Sequence, residues 1–235
     1  MTGALALLFD FGGTLDADGV YTAPRFHAAY RASGGALDAA AFEPVFAESE
    51  RALAALPGIE TLGYRDAVAA QARLIVASLP AGDRADAGRI AERFDAEARA
   101  AVARHRPVLE RLASRYRMAV VSNFTGNLDP CLEDLGLRRF FGVRLDSAVV
   151  GIRKPDPRIF RLALERLGVG ADRAWMIGDN IEADVRAAAR VGIKACWLAP
   201  AGREVPAGPA PLARIARLEE IEGVLAAPEH EARVS

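Results

Sequence analysis

A chain of 235 residues, 51% of them hydrophobic, is long enough to bury a sizeable core, either as one large domain or as a core with a smaller insert. Its formal net charge of −1, with acids and bases interspersed, argues against nucleic acid or a membrane surface as a partner. The two cysteines, Cys131 and Cys196, lie far apart and read as buried thiols of a reducing compartment, and the apolar run over 4–9 is too short for a signal peptide or a membrane span, so the expected location is cytoplasmic.

In chain order, the first element is a strand over 5–9 that delivers Asp10 onto a loop containing Gly12 and Gly13. From 16 to 104 the pattern becomes consecutive helices, expected over 24–32, 38–56, 64–79 and 86–104, punctuated by Pro57-Gly58, Gly63 and Pro80-Ala81-Gly82. Strand-like apolar segments resume at 118–122, 174–177 and 193–198, with helical patterns over 157–167 and 182–191 between the later ones. Gly136 and Gly168 sit where helices are stopped by a C-terminal glycine. A loop marked by Pro206, Pro209 and Pro211 leads to a closing helix over 212–225, and residues past 228 are expected to fray. Alternating buried strands and helices predict an α/β fold with a parallel sheet. Residues 1–15 and 105–235 form its core, and 16–104 form an all-helical insert after the first strand.

Four polar blocks fall at strand ends or ahead of a helix. They are Asp10-Phe11-Gly12-Gly13-Thr14, Ser122-Asn123, Lys154-Pro155-Asp156-Pro157 and Gly178-Asp179 with Asp184. Taken singly, Asp10 reads equally well as a turn residue, Ser122 as a helix cap, Lys154 as a surface charge, and Asp179 and Asp184 as caps. Taken together they change meaning, because the strands of a parallel sheet all end at one edge. A carboxylate, a hydroxyl, a lysine and a carboxylate pair then share one cleft, which is a set of parts for phosphoryl transfer. Of thirty basic residues only Lys154 and Lys194 are lysines, so Lys154 is the sole lysine before residue 194.

These blocks, in this order and with a helical insert after the first, resemble the haloacid dehalogenase superfamily. The resemblance spans nearly the whole chain and implies a Rossmann-like core with a helical cap, as in the branch of phosphoglycolate phosphatases and haloacid dehalogenases. It implies that Asp10 is the nucleophile, forming an aspartyl-enzyme, and that Asp10, the Gly12 carbonyl, Asp179 and Asp184 hold Mg²⁺. It implies that Lys154 neutralises charge between Asp10 and a phosphoryl group, with Thr14, Ser122 and Asn123 contacting the substrate.

The departure is Gly12. Family phosphatases usually carry aspartate there, to protonate the leaving alcohol and then activate water. Asp16 and Asp18 are nearby in sequence as substitutes or as ordinary loop carboxylates. Dehalogenases of the superfamily also lack that aspartate and dispense with metal; the retained Asp179 and Asp184 argue against that activity, and Asn123 favours it. Phosphonate hydrolases of the superfamily need a cap lysine, and residues 1–153 contain none. The expectation is a Mg²⁺-dependent hydrolase of a small phosphorylated metabolite, monomeric or homodimeric. The alternatives are a catalytically impaired binding protein and a metal-independent dehalogenase. Tyr21, Arg25, His27, Tyr64 and Arg65 are candidates for contacting the substrate from the insert.

Overall fold

Six parallel strands make one sheet in the computed structural model, which describes residues 5–226: β1 (Ala6–Phe9), β2 (Arg117–Ser122), β3 (Val143–Asp146), β4 (Ala174–Gly178), β5 (Lys194–Leu198) and β6 (Ala213–Ile215). Their order is β3-β2-β1-β4-β5-β6, so the chain winds outward on one side of β1 and then outward on the other. The reversal occurs at β1, where Phe9 stands level with Val120 of β2 and Ile177 of β4. That crevice, outside the carboxyl ends of the strands, is where open α/β sheets bind ligands.

All four residues of β1 are buried, because a central parallel strand is covered on both faces. Ala6 and Leu8 pack on one side with Ile159, Phe160 and Ala163 of α7 (Pro157–Leu167). Leu7 and Phe9 face the other way, into a larger core that continues into the helical insert through Phe26, Phe42 and Phe94. Burying each such side chain contributes about 1.5–3 kcal/mol.

The insert between β1 and β2 consists of α1 (Thr22–Ala32), α2 (Ala39–Ala54), α3 (Tyr64–Ala77) and α4 (Ala87–Ala113). Asp38 and Asp86 cap α2 and α4 by accepting the amides of Ala41 and Arg89. The helix expected to end at 104 runs on to Ala113, and residue 104 lies inside it. The apolar stripe explains the extension: Ala98, Ala101 and Val102 are followed at helical spacing by Val108, Leu109 and Leu112, which pack in the same core as Met118 and Leu7.

Beyond β2 come α5 (Leu128–Asp134), α6 (Ser147–Val150) after β3, and α7, which begins at the Asp156 cap with Pro157 in its first turn and stops at Gly168 with φ 64°. The helix expected over 182–191 is instead a π-helical turn, Ile181–Arg186, followed by the short α8 (Ala187–Ala189). The closing helix expected over 212–225 is also corrected. Its first part is β6, drawn into the open edge of β5 with Ile215 buried, and only α9 (Ile221–Ala226) is helical after a 3₁₀ turn. β3 and β6 were not anticipated, being edge strands of four and three residues with little apolar signal. Both cysteines are buried and free. The fraying expected past 228 lies outside the described residues. Among those described, no helix is long and apolar enough to cross a membrane.

Candidate active site

Asp10 is the first residue past β1, and its amide continues the ladder by donating to the Ile177 carbonyl at 2.9 Å. The loop it opens is packed against β4 so tightly that Gly13, at φ 87°, has no room for a side chain: a Cβ would lie 2.3 Å from Asp179 Oδ2. Gly178, the last residue of β4, is confined in the same way, 2.4 Å from Asp184 Oδ2. Two glycines therefore make the cradle in which both carboxylates sit. Asp179 is fixed from behind, its carbonyl accepting the buried Trp197 indole N–H at 2.8 Å. The Asn180 amide donates to Asp184 Oδ2 at 3.0 Å, while its side-chain oxygen caps Glu182 and Ala183. The π-turn thus returns Asp184 beneath the strand ends.

Lys154 arrives from the loop before α7. Asn123, just past β2, clamps it, since its side-chain oxygen accepts the Lys154 amide at 2.8 Å and its side-chain N–H donates to the Lys154 carbonyl at 2.9 Å. The ammonium then bridges Asp10 Oδ1 and Asp184 Oδ1, each at 2.6 Å. Thr14 donates its hydroxyl to Asp179 Oδ1 at 3.2 Å.

Three buried carboxylates face one ammonium, and the imbalance marks their chemistry. Burial, then the charges of Asp10 and Asp184, push Asp179 far above the usual carboxylate range. Burial also raises Asp184, with Lys154 pulling it down and Asp10 pushing it up. Burial alone would lower Lys154, but Asp10 and Asp184 outweigh it and keep the ammonium protonated. One oxygen from each of Asp10, Asp179 and Asp184 lies within 4.8 Å of the other two. Hard oxygen donors with surplus negative charge fit a divalent cation such as Mg²⁺.

A cavity of about 310 Å³ opens above this cluster, lined at the sheet edge by Asp10, Gly12, Ser122, Asn123, Lys154 and Asp179. Thr14 is fully buried and outside the lining, and its hydroxyl donates to Asp179. Of the candidates on the insert, Tyr21 and Tyr64 line the cavity. Arg25, His27 and Arg65 do not. Arg25 is buried on Asp16 and stacked on Phe94, His27 bonds the Leu37 carbonyl, and Arg65 pairs with Asp95.

Asp16 lines the cavity but is fully engaged. It accepts the Gly13 amide at 2.7 Å, Arg25 at 2.9 Å and the Tyr64 hydroxyl at 2.7 Å. The buried trio was not anticipated, although Arg25 sits on the same helical stripe as Phe26, Ala29 and Tyr30, which is the signal that could have found it. Asp18 is outside the lining, bonded to His105 at 2.9 Å and Arg104 at 2.8 Å.

The chain belongs to the haloacid dehalogenase-like hydrolases, whose family model matches residues 5–192. It is 33% identical over 120 residues to the pyrimidine 5′-nucleotidase YjjG of Escherichia coli K12, across 50% of this chain and 53% of that one. It is 42% identical over 86 residues to a phosphoserine phosphatase of Thermus thermophilus, across 37% of this chain and 34% of that one. The chain therefore spans about half or less of the length of these curated relatives. A crystal structure of 2-haloacid dehalogenase from Pseudomonas syringae pv. Tomato DC3000 aligns with a TM-score of 0.55 and 25% identity, over 95% of this chain and 98% of that one.

Proposed function

We propose that this protein is a Mg²⁺-dependent phosphohydrolase of a small phosphorylated metabolite, in which the helices before β2 act as a cap over a catalytic core. The observation that carries this reading is the bridge from Lys154 Nζ to Asp10 and Asp184, beside an Asp179 that has no salt bridge among the described residues. Asp10, Asp179, the Gly12 carbonyl and, directly or through water, Asp184 would hold the cation, which when bound supplies charge neutralisation at the phosphoryl oxygens. Lys154 fixes Asp10 Oδ1, leaving Oδ2 to attack phosphorus in line and form an aspartyl-phosphate while the alkoxide departs. Ser122 binds a phosphoryl oxygen at the cavity wall. Relatives that are a nucleotidase and a phosphoserine phosphatase support a small phosphorylated substrate.

Gly12 supplies no proton to the leaving group and no base for the second step, and Asp16, already tied to Arg25 and Tyr64, does not replace it. A good leaving group departs without acid help, whereas the aspartyl-phosphate waits for water. Rapid-mixing release of p-nitrophenol from p-nitrophenyl phosphate tests this. A burst approaching one equivalent per site, abolished by chelator and followed by slow turnover, is expected. Gly12 also favours a second reading, a phosphate-ligand-binding protein that rarely turns over; absence of both burst and turnover, beside brisk release by Gly12→Asp, would put that reading first. Hydrolysis of a haloacid that ignores chelator would instead identify a dehalogenase.

A further inference from the structure

Away from the phosphoryl end, the cavity is lined by three further charged side chains, Asp16, Glu50 and Arg153. Arg25 meets the charge of Asp16. The other two have no such partner. Glu50 projects from α2 on the insert, and Arg153 immediately precedes Lys154 in the core. Among the described residues neither side chain has a hydrogen bond or a salt bridge, and each acts on the other only at a distance: burial pushes the Glu50 carboxyl up and the Arg153 charge draws it back. A carboxylate and a guanidinium thus stand apart on the wall of one small cavity, one on each side of the cleft.

We propose that Glu50 and Arg153 select a substrate whose leaving group is zwitterionic, a phosphorylated amino acid, with its ammonium on Glu50 and its carboxylate on Arg153. The inference rests on the phosphohydrolase reading and deepens it. At about 310 Å³ the cavity is at the small end of ligand pockets, so the group that reaches Asp10 and the group that reaches the mouth belong to one small molecule. An uncharged leaving group would give neither ion a partner. An anionic one would satisfy Arg153 and be repelled by Glu50. Only a leaving group carrying both charges matches the pair, and it does so with no change in net charge.

The test is calorimetric binding, in Mg²⁺, of the phosphonate analogue of O-phosphoserine and of its desamino and descarboxy counterparts, so that no turnover is required. The zwitterion should bind about 3- to 5-fold tighter than either counterpart, as expected for exposed charge pairs. Glu50→Gln should erase the discrimination against the desamino ligand while keeping that against the descarboxy one, and Arg153→Gln should do the reverse. Both residues are at the surface, and far-ultraviolet circular dichroism checks that the variants fold. Equal binding of the three ligands, or discrimination that survives both substitutions, would overturn the proposal. If none of the three binds while p-nitrophenyl phosphate still gives its burst, the zwitterion proposal fails and the phosphohydrolase reading stands. Loss of both takes the two down together.

Discussion

Placing an aspartate where the chain has Gly12 should restore fast turnover. The backbone there has no positive φ, and a Cβ would meet only Thr22 Oγ1, at 3.4 Å, which is close but tolerable contact. The new carboxyl would enter the cavity that Asp10 and Lys154 also line. Positioned acid–base catalysis contributes typically 10²–10⁴-fold, or about 3–5 kcal/mol of barrier. Gly12→Asp should therefore raise the steady-state rate on p-nitrophenyl phosphate by a factor in that range and remove the burst, because hydrolysis of the aspartyl-phosphate no longer limits. With phenyl phosphate, a poorer leaving group, the gain should extend to the first step. A variant that keeps the burst but turns over no faster than the parent would refute the reasoning, since water activation would then depend on some group other than the missing one.

Two further outcomes concern stability. Asp16 and Arg25 form an ion pair with side chains 3% and 2% exposed, and Glu97, the other partner of Arg25, is half in solvent. Asp16→Asn leaves that guanidinium without its buried counter-ion, so urea unfolding should show a loss of about 3 kcal/mol; a loss under about 1 kcal/mol would mean the pair is not worth its burial. Burial opposes the charge on Asp18, but the hydrogen bonds from His105 and Arg104 prevail and hold its carboxyl well below the usual range. A carboxyl depressed in the folded state stabilises above its unfolded value, and that contribution is lost as pH falls toward the folded one. The melting temperature of Asp18→Asn should therefore lie below the parent's near neutrality, and the gap should narrow as pH falls from about 4 to 2. A constant gap across that window would show that the charge on Asp18 is not what matters.

Much of the core was legible because its signals are local. A buried strand ending in a carboxylate, a lysine block running into the Asp156 cap and Pro157, and a glycine before Asp179 are each written within a few residues. Parallel strand direction does the rest, since it sends those ends to one edge. The helix over 157–167 was readable to the residue for the same reason: cap, proline, amphipathic stripe and stop are all contiguous. The misreadings have a common cause. Residues 212–225 carry a helical-looking pattern, but the unpaired edge of β5 offered Ala213 and Ile215 a ladder, and no local preference reports that edge. The expected stop at 104 failed because a core outside the insert rewards continuing α4.

By itself, then, the sequence determined which groups are present, in what order, and that Gly12 breaks the expected set. Only the tertiary structure decided what each group is committed to. Asp16 as a substitute acid and Asp16 as the counter-ion of Arg25 and acceptor of the Tyr64 hydroxyl are the same residue in the same motif, and contacts across 9 and 48 positions choose between them. Thr14 turns to Asp179 across 165 positions, and Asn123 holds Lys154 across 31. Glu50 and Arg153 share a cavity wall although one lies in the insert and the other in the core. The physical reason is that backbone preference and hydrophobic spacing act over a few residues, whereas hydrogen bonds and charges form with whatever the folded chain brings within a few ångströms.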